Sequence, residues 1–280
     1  MKQENIRASI IVAVYKDIEA LDLIIQALKK QTYRNFEVVI VEDNNADSMK
    51  NYIASITGLD VIHTYQEDIG IRKTRSLNNG ILASKGEYLI FIDGDCVPYT
   101  TFIESHVKLS EPGHVVSGRR CNLGPKYSAM LRNKTLSAET LEKTFVRRFP
   151  FIAKDAIERH AEAGLYFNPD GFIYKAFIKN RITNTSILGC NYSCFKSDMV
   201  AINGYDEGYG ESSVGDDTDL QWRFTASGLK IKSARNVANM FHLYHDRGFR
   251  ENISFKAELE QMHINKKNNV FVCKKGLNQH

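Results

Sequence analysis

The chain has 280 residues, 43% hydrophobic and 25% charged, with a formal net charge of +4. That length suits one large α/β domain, or one domain with a small appendage, and buries enough surface to fold without a disulfide or a structural metal. The composition excludes a disordered or low-complexity chain, and no internal repeat is present.

The opening MKQENIRAS is polar, and the apolar run from Ile10 to Tyr15 is far too short to span a bilayer. Neither a signal peptide nor a transmembrane helix is therefore expected. Ser9 to Tyr15 is nonetheless apolar almost throughout, the pattern of a strand buried on both faces. Leu21, Ile24, Ile25 and Leu28 recur at helical spacing and mark an amphipathic helix. Phe36 to Val41 predicts a second strand, Val61 to Tyr65 a weaker third, Ile71 to Ser84 a helix, and Glu87 to Ile92 a strong fourth strand. Strands alternating with helices imply right-handed βαβ crossovers and a largely parallel sheet. From Lys126 to Asn180 charge-rich, aromatic-dotted helical stretches surround Pro150 and Pro169, an inserted helical subregion. Asn191 to Phe195 resumes the sheet, and Asp216 to Ser227 reads as a helix ending near Gly228. Short strands near Leu229–Ala234 and Val237–Leu243 precede a closing helix from Glu251 to Lys267.

The five cysteines (Cys96, Cys121, Cys190, Cys194 and Cys273) show no paired metal-type spacing and read as reduced, mostly buried thiols of a cytoplasmic protein. Basic residues cluster at Arg72-Lys73-Arg75, Arg119-Arg120, Arg147-Arg148, Lys266-Lys267 and Lys274-Lys275. Solvated surface accounts for any single pair. The first cluster also suits phosphate, and the last two an anionic membrane surface. Nucleic acid is not expected, because no basic stripe carries interleaved aromatics.

In an open parallel sheet, ligands bind beyond the carboxyl ends of the strands. There the sequence places Tyr15-Lys16-Asp17, Glu42-Asp43-Asn44-Asn45 and Asp93-Gly94-Asp95. The first strand-to-helix turn has no glycines, which argues against a nicotinamide or flavin fold, and no P-loop is present. Asp93-Gly94-Asp95 directly follows an apolar strand, and its carboxylates suit Mg²⁺ or Mn²⁺ on a diphosphate. Gly215-Asp216-Asp217-Thr218-Asp219 opens a helix, where one acid suffices as a cap and the others are left for chemistry. His242 and His245, three apart after an apolar segment, offer a metal ligand.

Taken together, these blocks resemble the inverting family 2 glycosyltransferases of the A-type fold. Gly70 to Cys96 resembles that family's segment from its donor-binding arginine to its Asp-x-Asp motif. Gly189 to Glu207, with GDDTDLQWR and FHLYH, is similar to the family's acceptor half and to the carboxyl-terminal module of galactosyltransferases. The likeness runs from about residue 8 to 250 and is weakest from Lys126 to Asn180. It implies a single Rossmann-like α/β nucleotide-diphospho-sugar transferase domain over residues 1–250, with a mainly parallel central sheet and the helical insertion at about 126–180. Its nucleotide-sugar-binding half would be 1–125 and its acceptor half 126–250, with a carboxyl-terminal helix and tail at 251–280.

The same resemblance implies a UDP-sugar donor, a Mn²⁺ or Mg²⁺ cofactor, and a glycan or lipid-linked glycan acceptor. Carried over residue by residue, Ala13 and Tyr15 would touch the nucleoside, with Tyr15 beside the base, and Asp43 would accept the uracil N3–H. Arg72 would lie near the nucleoside or diphosphate, Asp93 by the ribose and metal, and Asp95 on the metal, with His242 or His245 as the late ligand. Asp217 would be the general base and Asp216 the acceptor-orienting acid. Two departures stand out: Val12-Ala13-Val14-Tyr15-Lys16 replaces a proline-containing turn, and Asp216-Asp217 replaces Glu-Asp. A haloacid-dehalogenase-type phosphatase also carries Asp-x-Asp after an apolar strand, but on its first strand rather than its fourth. A catalytically silent sugar-nucleotide or glycan-binding protein would have no need of Asp95 and Asp217. The expected location is cytoplasmic, peripheral at the inner face of the membrane through the carboxyl-terminal lysines.

Overall fold

The computed structural model describes residues 5–179, 185–210, 215–245 and 256–280. Chain order begins with β1 (Ala8–Val14), α1 (Ile18–Lys29), β2 (Phe36–Glu42), α2 (Asp47–Ala54), β3 (Val61–Tyr65), α3 (Lys73–Ala83) and β4 (Tyr88–Asp93). Then come β5 (Cys96–Pro98), α4 (Phe102–Leu109), β6 (His114–Ser117) and β7 (Cys121–Asn122). The helical insertion contributes α5 (Pro125–Arg132), α6 (Ala138–Lys143) and α7 (Phe145–Asp155). The remainder comprises β8 (Asn191–Phe195), α8 (Lys196–Ala201), α9 (Asp217–Ala226), β9 (Lys230–Ser233), β10 (Met240–His242) and α10 (Lys256–Lys267).

Seven strands form the main sheet in the order β3-β2-β1-β4-β8-β6-β9. β1, β2, β3 and β4 run parallel, while β8 is antiparallel to both β4 and β6. Both faces are covered, which is why the strands read as continuous apolar runs. Ile10, Val12, Ile40 and Ile90 enter one apolar layer, under α1 and α4. Ile11, Val39, Val41 and Phe91 enter the other, with Leu77 and Ile81 of α3 and Leu220 and Phe224 of α9. These side chains are almost completely buried, each adding roughly 1.5–3 kcal/mol. Gly80 lets α3 settle on the sheet, since a Cβ there would meet Val41 Cγ1 at 2.4 Å.

A second sheet, β5-β10-β7, lies beyond the end of β4. Its β5 and β7 have three and two residues, too few for a period to show in the sequence. The insertion is helical as expected, and α7 continues through Pro150. The carbonyl that Pro150 leaves unpaired belongs to Val146, an exposed residue, so water can satisfy it. The closing helix occupies Lys256–Lys267, and residues 251–255 of its expected span lie outside the described residues, as does Asn180. All five cysteines are free and buried. Among the described residues no helix is long and apolar enough to cross a membrane.

Candidate active site

The carboxyl ends of β1, β2 and β4 gather the predicted donor residues. Ala13 is the penultimate residue of β1, partly buried, opposite Val41 of β2 and Asp93 of β4. After β1 the chain turns sharply, with Lys16 in the left-handed region at φ 57°. Lys16 Nζ lies 4.5 Å from the Tyr15 ring centroid and 2.7 Å from Asp68, leaving that ring half exposed. Asp17 then caps α1 by accepting the Ala20 N–H, and Arg132 donates to both its carboxylate oxygens at 3.0 and 2.7 Å.

Beyond β2, Asp43 is buried and held from two sides. Gln66 Nε2 donates to one oxygen at 2.6 Å and the Arg72 backbone N–H to the other at 2.7 Å. A carboxylate has about four lone-pair sites, so acceptor capacity remains. The Arg72 guanidinium donates to the Glu67 carbonyl, and its Nε is buried without a partner.

Asp93 ends β4 and Asp95 opens the turn into β5. The glycine between them is sterically required, because a Cβ at Gly94 would stand 2.8 Å from the Ala13 carbonyl oxygen. Antiparallel pairing of β5 with β10 sets Cys96 opposite His242, which brings a residue from late in the chain to Asp95. Asp95 Oδ2 lies 3.3 Å from His242 Nε2 and 3.2 Å from His245 Nε2. One ligand atom from each of the three falls within 4.8 Å of the others, so both histidines reach the acid. Burial acts to raise the Asp95 carboxyl pKa, but hydrogen bonds from His242 and His245 outweigh it and hold it well below the usual range. An ionised carboxylate with two imidazoles is a donor set for a divalent transition-metal ion.

The acids that open α9 meet the end of β4 through Lys73, the first residue of α3. Its Nζ lies 2.7 Å from Asp93 Oδ1 and 2.7 Å from Asp216 Oδ2. Burial pushes the Asp216 carboxyl pKa up, and the Lys73 charge opposes that rise. The Lys73 ammonium pKa is raised in turn: burial acts to lower it, and the charges of Asp216 and Asp93 prevail. Asp216 occupies the N-cap position of α9 without making a cap bond, and its Oδ1 is buried without a partner. Gly189 backs it closely, since a Cβ there would stand 2.8 Å from Oδ1.

Asp217 is partly exposed and accepts the Gly189 N–H at 3.4 Å and the Thr218 hydroxyl at 3.3 Å. A cavity of about 770 Å³ opens beside it, lined by Ile187, Gln221, Trp222, Met262 and Lys266. Asp219, by contrast, is fully buried and accepts from Tyr209, Trp222 and Arg223, a structural network.

Comparison with known proteins agrees with this arrangement. Residues 9–169, more than half of the chain, match the model described as glycosyl transferase family 2. The chain belongs to glycosyl transferase family 2. Residues 173–246 of this family 2 chain match a second model, described as N-terminal domain of galactosyltransferase. The Bacillus subtilis putative glycosyltransferase EpsH is 35% identical over 96 residues, covering 33% of this chain and 27% of that protein. The fold is shared with the mannosyltransferase PcManGT from Pyrobaculum calidifontis, solved with GDP-Man and Mn²⁺, at TM-score 0.56 and 15% identity over 97% of this chain and 66% of that one. It is shared as well with S. aureus TarS in complex with UDP, at TM-score 0.58 and 12% identity over 98% of this chain and 68% of that one. The matched segments thus span about a third or less of the first curated relatives.

Every site residue expected from the sequence lies along this one edge or in the turns joined to it. What the sequence reading missed is Lys73 as the link between Asp93 and Asp216, and Gln66 as the support of Asp43. A signal for Lys73 was present. Arg72, Lys73 and Arg75 begin a helix with no acid in its first turn, against the preference set by the helix dipole.

Proposed function

We propose that this chain moves a sugar from a UDP-sugar to a hydroxyl of a glycan or lipid-linked glycan, with inversion and with a divalent cation bound. The observation that carries the reading is the convergence of Asp95, His242 and His245 beside Asp93 at the carboxyl edge of a parallel sheet. A bound divalent ion would supply charge neutralisation for the departing diphosphate. Asp95, His242 and His245 would hold it, and Asp43 would take the uracil N3–H with its remaining lone pairs, supported by Gln66 and Arg72. Tyr15 and Ala13 would flank the nucleoside, and Arg72 the nucleoside or diphosphate.

Asp217 would accept the proton of the attacking hydroxyl, and the unpartnered Asp216 Oδ1 would orient the acceptor. The cavity beside Asp217 supports acceptor entry from the α9 and α10 side. Residues 1–125 would then serve the donor and 126–250 the acceptor. Work on a UDP-sugar places the reaction in the cytoplasm, where such donors are made.

The deciding experiment is a screen of UDP-, GDP- and CDP-sugars for nucleotide release, with Mn²⁺, with Mg²⁺ and with EDTA. Release of UDP that EDTA abolishes is expected. Turnover from a GDP-sugar alone would overturn the donor assignment, and unchanged turnover in EDTA the metal assignment. The phosphatase reading has less support, because Asp93 ends the fourth strand and the family match covers that strand.

A further inference from the structure

Exposed apolar surface in this chain is concentrated in one stretch. Among the described residues, the large hydrophobic side chains more than 60% exposed are Val146, Phe151, Ile157, Phe172 and Phe177, all within the helical insertion. Single exposed apolar residues are ordinary, but five so close in sequence mark a surface that something covers.

The same segments are basic. On α7, Phe145 and Ile152 turn inward to the core, while Val146, Arg147, Phe151 and Lys154 face outward. In the π-helical turn Tyr174–Ile178, Tyr174 is buried while Lys175 and Phe177 are exposed, flanked by Phe172 and Lys179. Neither Arg147, Lys154, Lys175 nor Lys179 has a carboxylate within 4.0 Å among the described residues. Three neighbouring acids have partners elsewhere: Asp155 accepts two backbone N–H groups of α5, Asp170 pairs with Lys108 while also feeling the Lys175 charge, and Glu162 pairs with Arg235.

We propose that the exposed apolar and basic side chains of residues 146–179, on α7 and on the turn at 172–179, dock on an anionic lipid leaflet. The aromatic and aliphatic side chains would enter the boundary between headgroups and acyl chains, and the lysines and arginines would lie against anionic headgroups. The mixture of residues selects lipid over a protein partner. A protein interface gathers an apolar centre depleted of charge. Here cations and apolar residues alternate along each segment, which a lipid boundary accommodates because long basic side chains extend back to the headgroups. The carboxyl-terminal lysines have weaker apolar company, since Leu259, Ile264, Val270 and Val272 are each only 37–46% exposed. The proposal deepens the reading of a lipid-linked acceptor and rests on it only for its purpose. Vesicle binding is measured without turnover, so the two readings fail separately.

The test is flotation of the purified chain with phosphatidylcholine vesicles, alone or with about one third phosphatidylglycerol. The wild type should float with the anionic vesicles, far less with the neutral ones, and less again in about 0.5 M salt. Phe151→Ser/Phe177→Ser alters only exposed positions, so its circular dichroism and melting temperature should match the wild type. Its vesicle binding should fall roughly tenfold or more. Lys274→Gln/Lys275→Gln should float like the wild type. The proposal is overturned if the wild type ignores both vesicle types, if the serine variant floats undiminished, or if the face instead mediates a concentration-dependent dimer without vesicle binding.

Discussion

Lys73 holds Asp216 through a 2.7 Å ion pair that spans 143 positions of sequence. The same ammonium lies 2.7 Å from Asp93, so one cation joins the acid that ends β4 to the acid that precedes α9. Both carboxylates face each other across it, and removing it leaves two like charges close together in a partly solvated site. Lys73→Met should therefore destabilise the fold by roughly 2–3 kcal/mol, below the range for fully enclosed pairs because solvent reaches both partners. Lys73→Arg should recover most of that loss. Urea unfolding of the two variants measures it, and equal midpoints for Met and wild type would remove the ion pair from the account.

The cluster at Asp95 leads to a ligand-binding prediction. Mn²⁺ binding only the folded chain raises its melting temperature by mass action, worth about 2.7 kcal/mol at a hundredfold excess over the dissociation constant. Asp95→Asn should abolish that rise and reduce turnover at least roughly 100-fold, while its circular dichroism without metal stays that of the wild-type fold. His242→Ala and His245→Ala should each weaken the rise, because both imidazoles lie within 3.3 Å of the carboxylate. A full Mn²⁺ response in Asp95→Asn would place the ion elsewhere.

The interior also holds a pH-sensitive group beneath the sheet, on α4. His106 of α4 is completely buried, with Nδ1 2.7 Å from Ser193 Oγ and Nε2 3.0 Å from Asn191 Oδ1. Burial lowers its pKa to about 4, and the hydrogen bond with Asn191 only partly opposes that. A histidine depressed in the folded state binds its proton more readily when unfolded. Its stabilising contribution is therefore complete above about pH 6.5 and is lost as pH falls toward 4. Between pH 7 and pH 5 this one group should cost the wild type roughly 2 kcal/mol. His106→Gln should be less stable at pH 7 and should show a flatter decline on acidification. Parallel declines in thermal melts across that range would show that another group dominates.

Much of this architecture was legible because the strands buried on both faces announce themselves. Ile10 to Val14, Val38 to Val41 and Leu89 to Ile92 are runs that solvent-facing strands do not show. Asp93, Asp95 and the late histidines were legible because acids directly after such a run mark the carboxyl edge. The small sheet was not, since β5 and β7 owe their strand geometry to pairing with β10 rather than to any period of their own. For that reason the sequence offered His242 or His245 as a ligand, whereas the β5–β10 register brings both to Asp95. The basic start of α3 was legible, but the partner of Lys73 was not, since an ion pair between residues 73 and 216 depends on tertiary folding.

In the proposed inverting reaction the chemistry turns on Asp217. Inversion at the anomeric carbon requires in-line displacement, with the acceptor hydroxyl attacking opposite the departing nucleoside diphosphate. As in glycoside hydrolysis, the transition state has oxocarbenium character, and the hydroxyl must lose its proton as the new bond forms. Three acids begin α9, and their surroundings separate them. Asp219 is fully buried and already accepts from Tyr209, Trp222 and Arg223. Asp216 commits one oxygen to Lys73, and its other oxygen is buried. Asp217 has only weak acceptor bonds, 3.4 Å from the Gly189 N–H and 3.3 Å from the Thr218 hydroxyl, and it borders the open cavity. Of the three it alone lines that cavity and keeps spare acceptor capacity toward it. Asp217→Asn preserves size and hydrogen bonding but cannot take a proton, so turnover should fall by roughly 100-fold or more. UDP binding, read by thermal shift, should hardly change, because the base touches the acceptor rather than the nucleotide. Substantial transfer by Asp217→Asn alongside an inactive Asp216→Asn would hand the role to Asp216, and a product of retained anomeric configuration would discard the single displacement altogether.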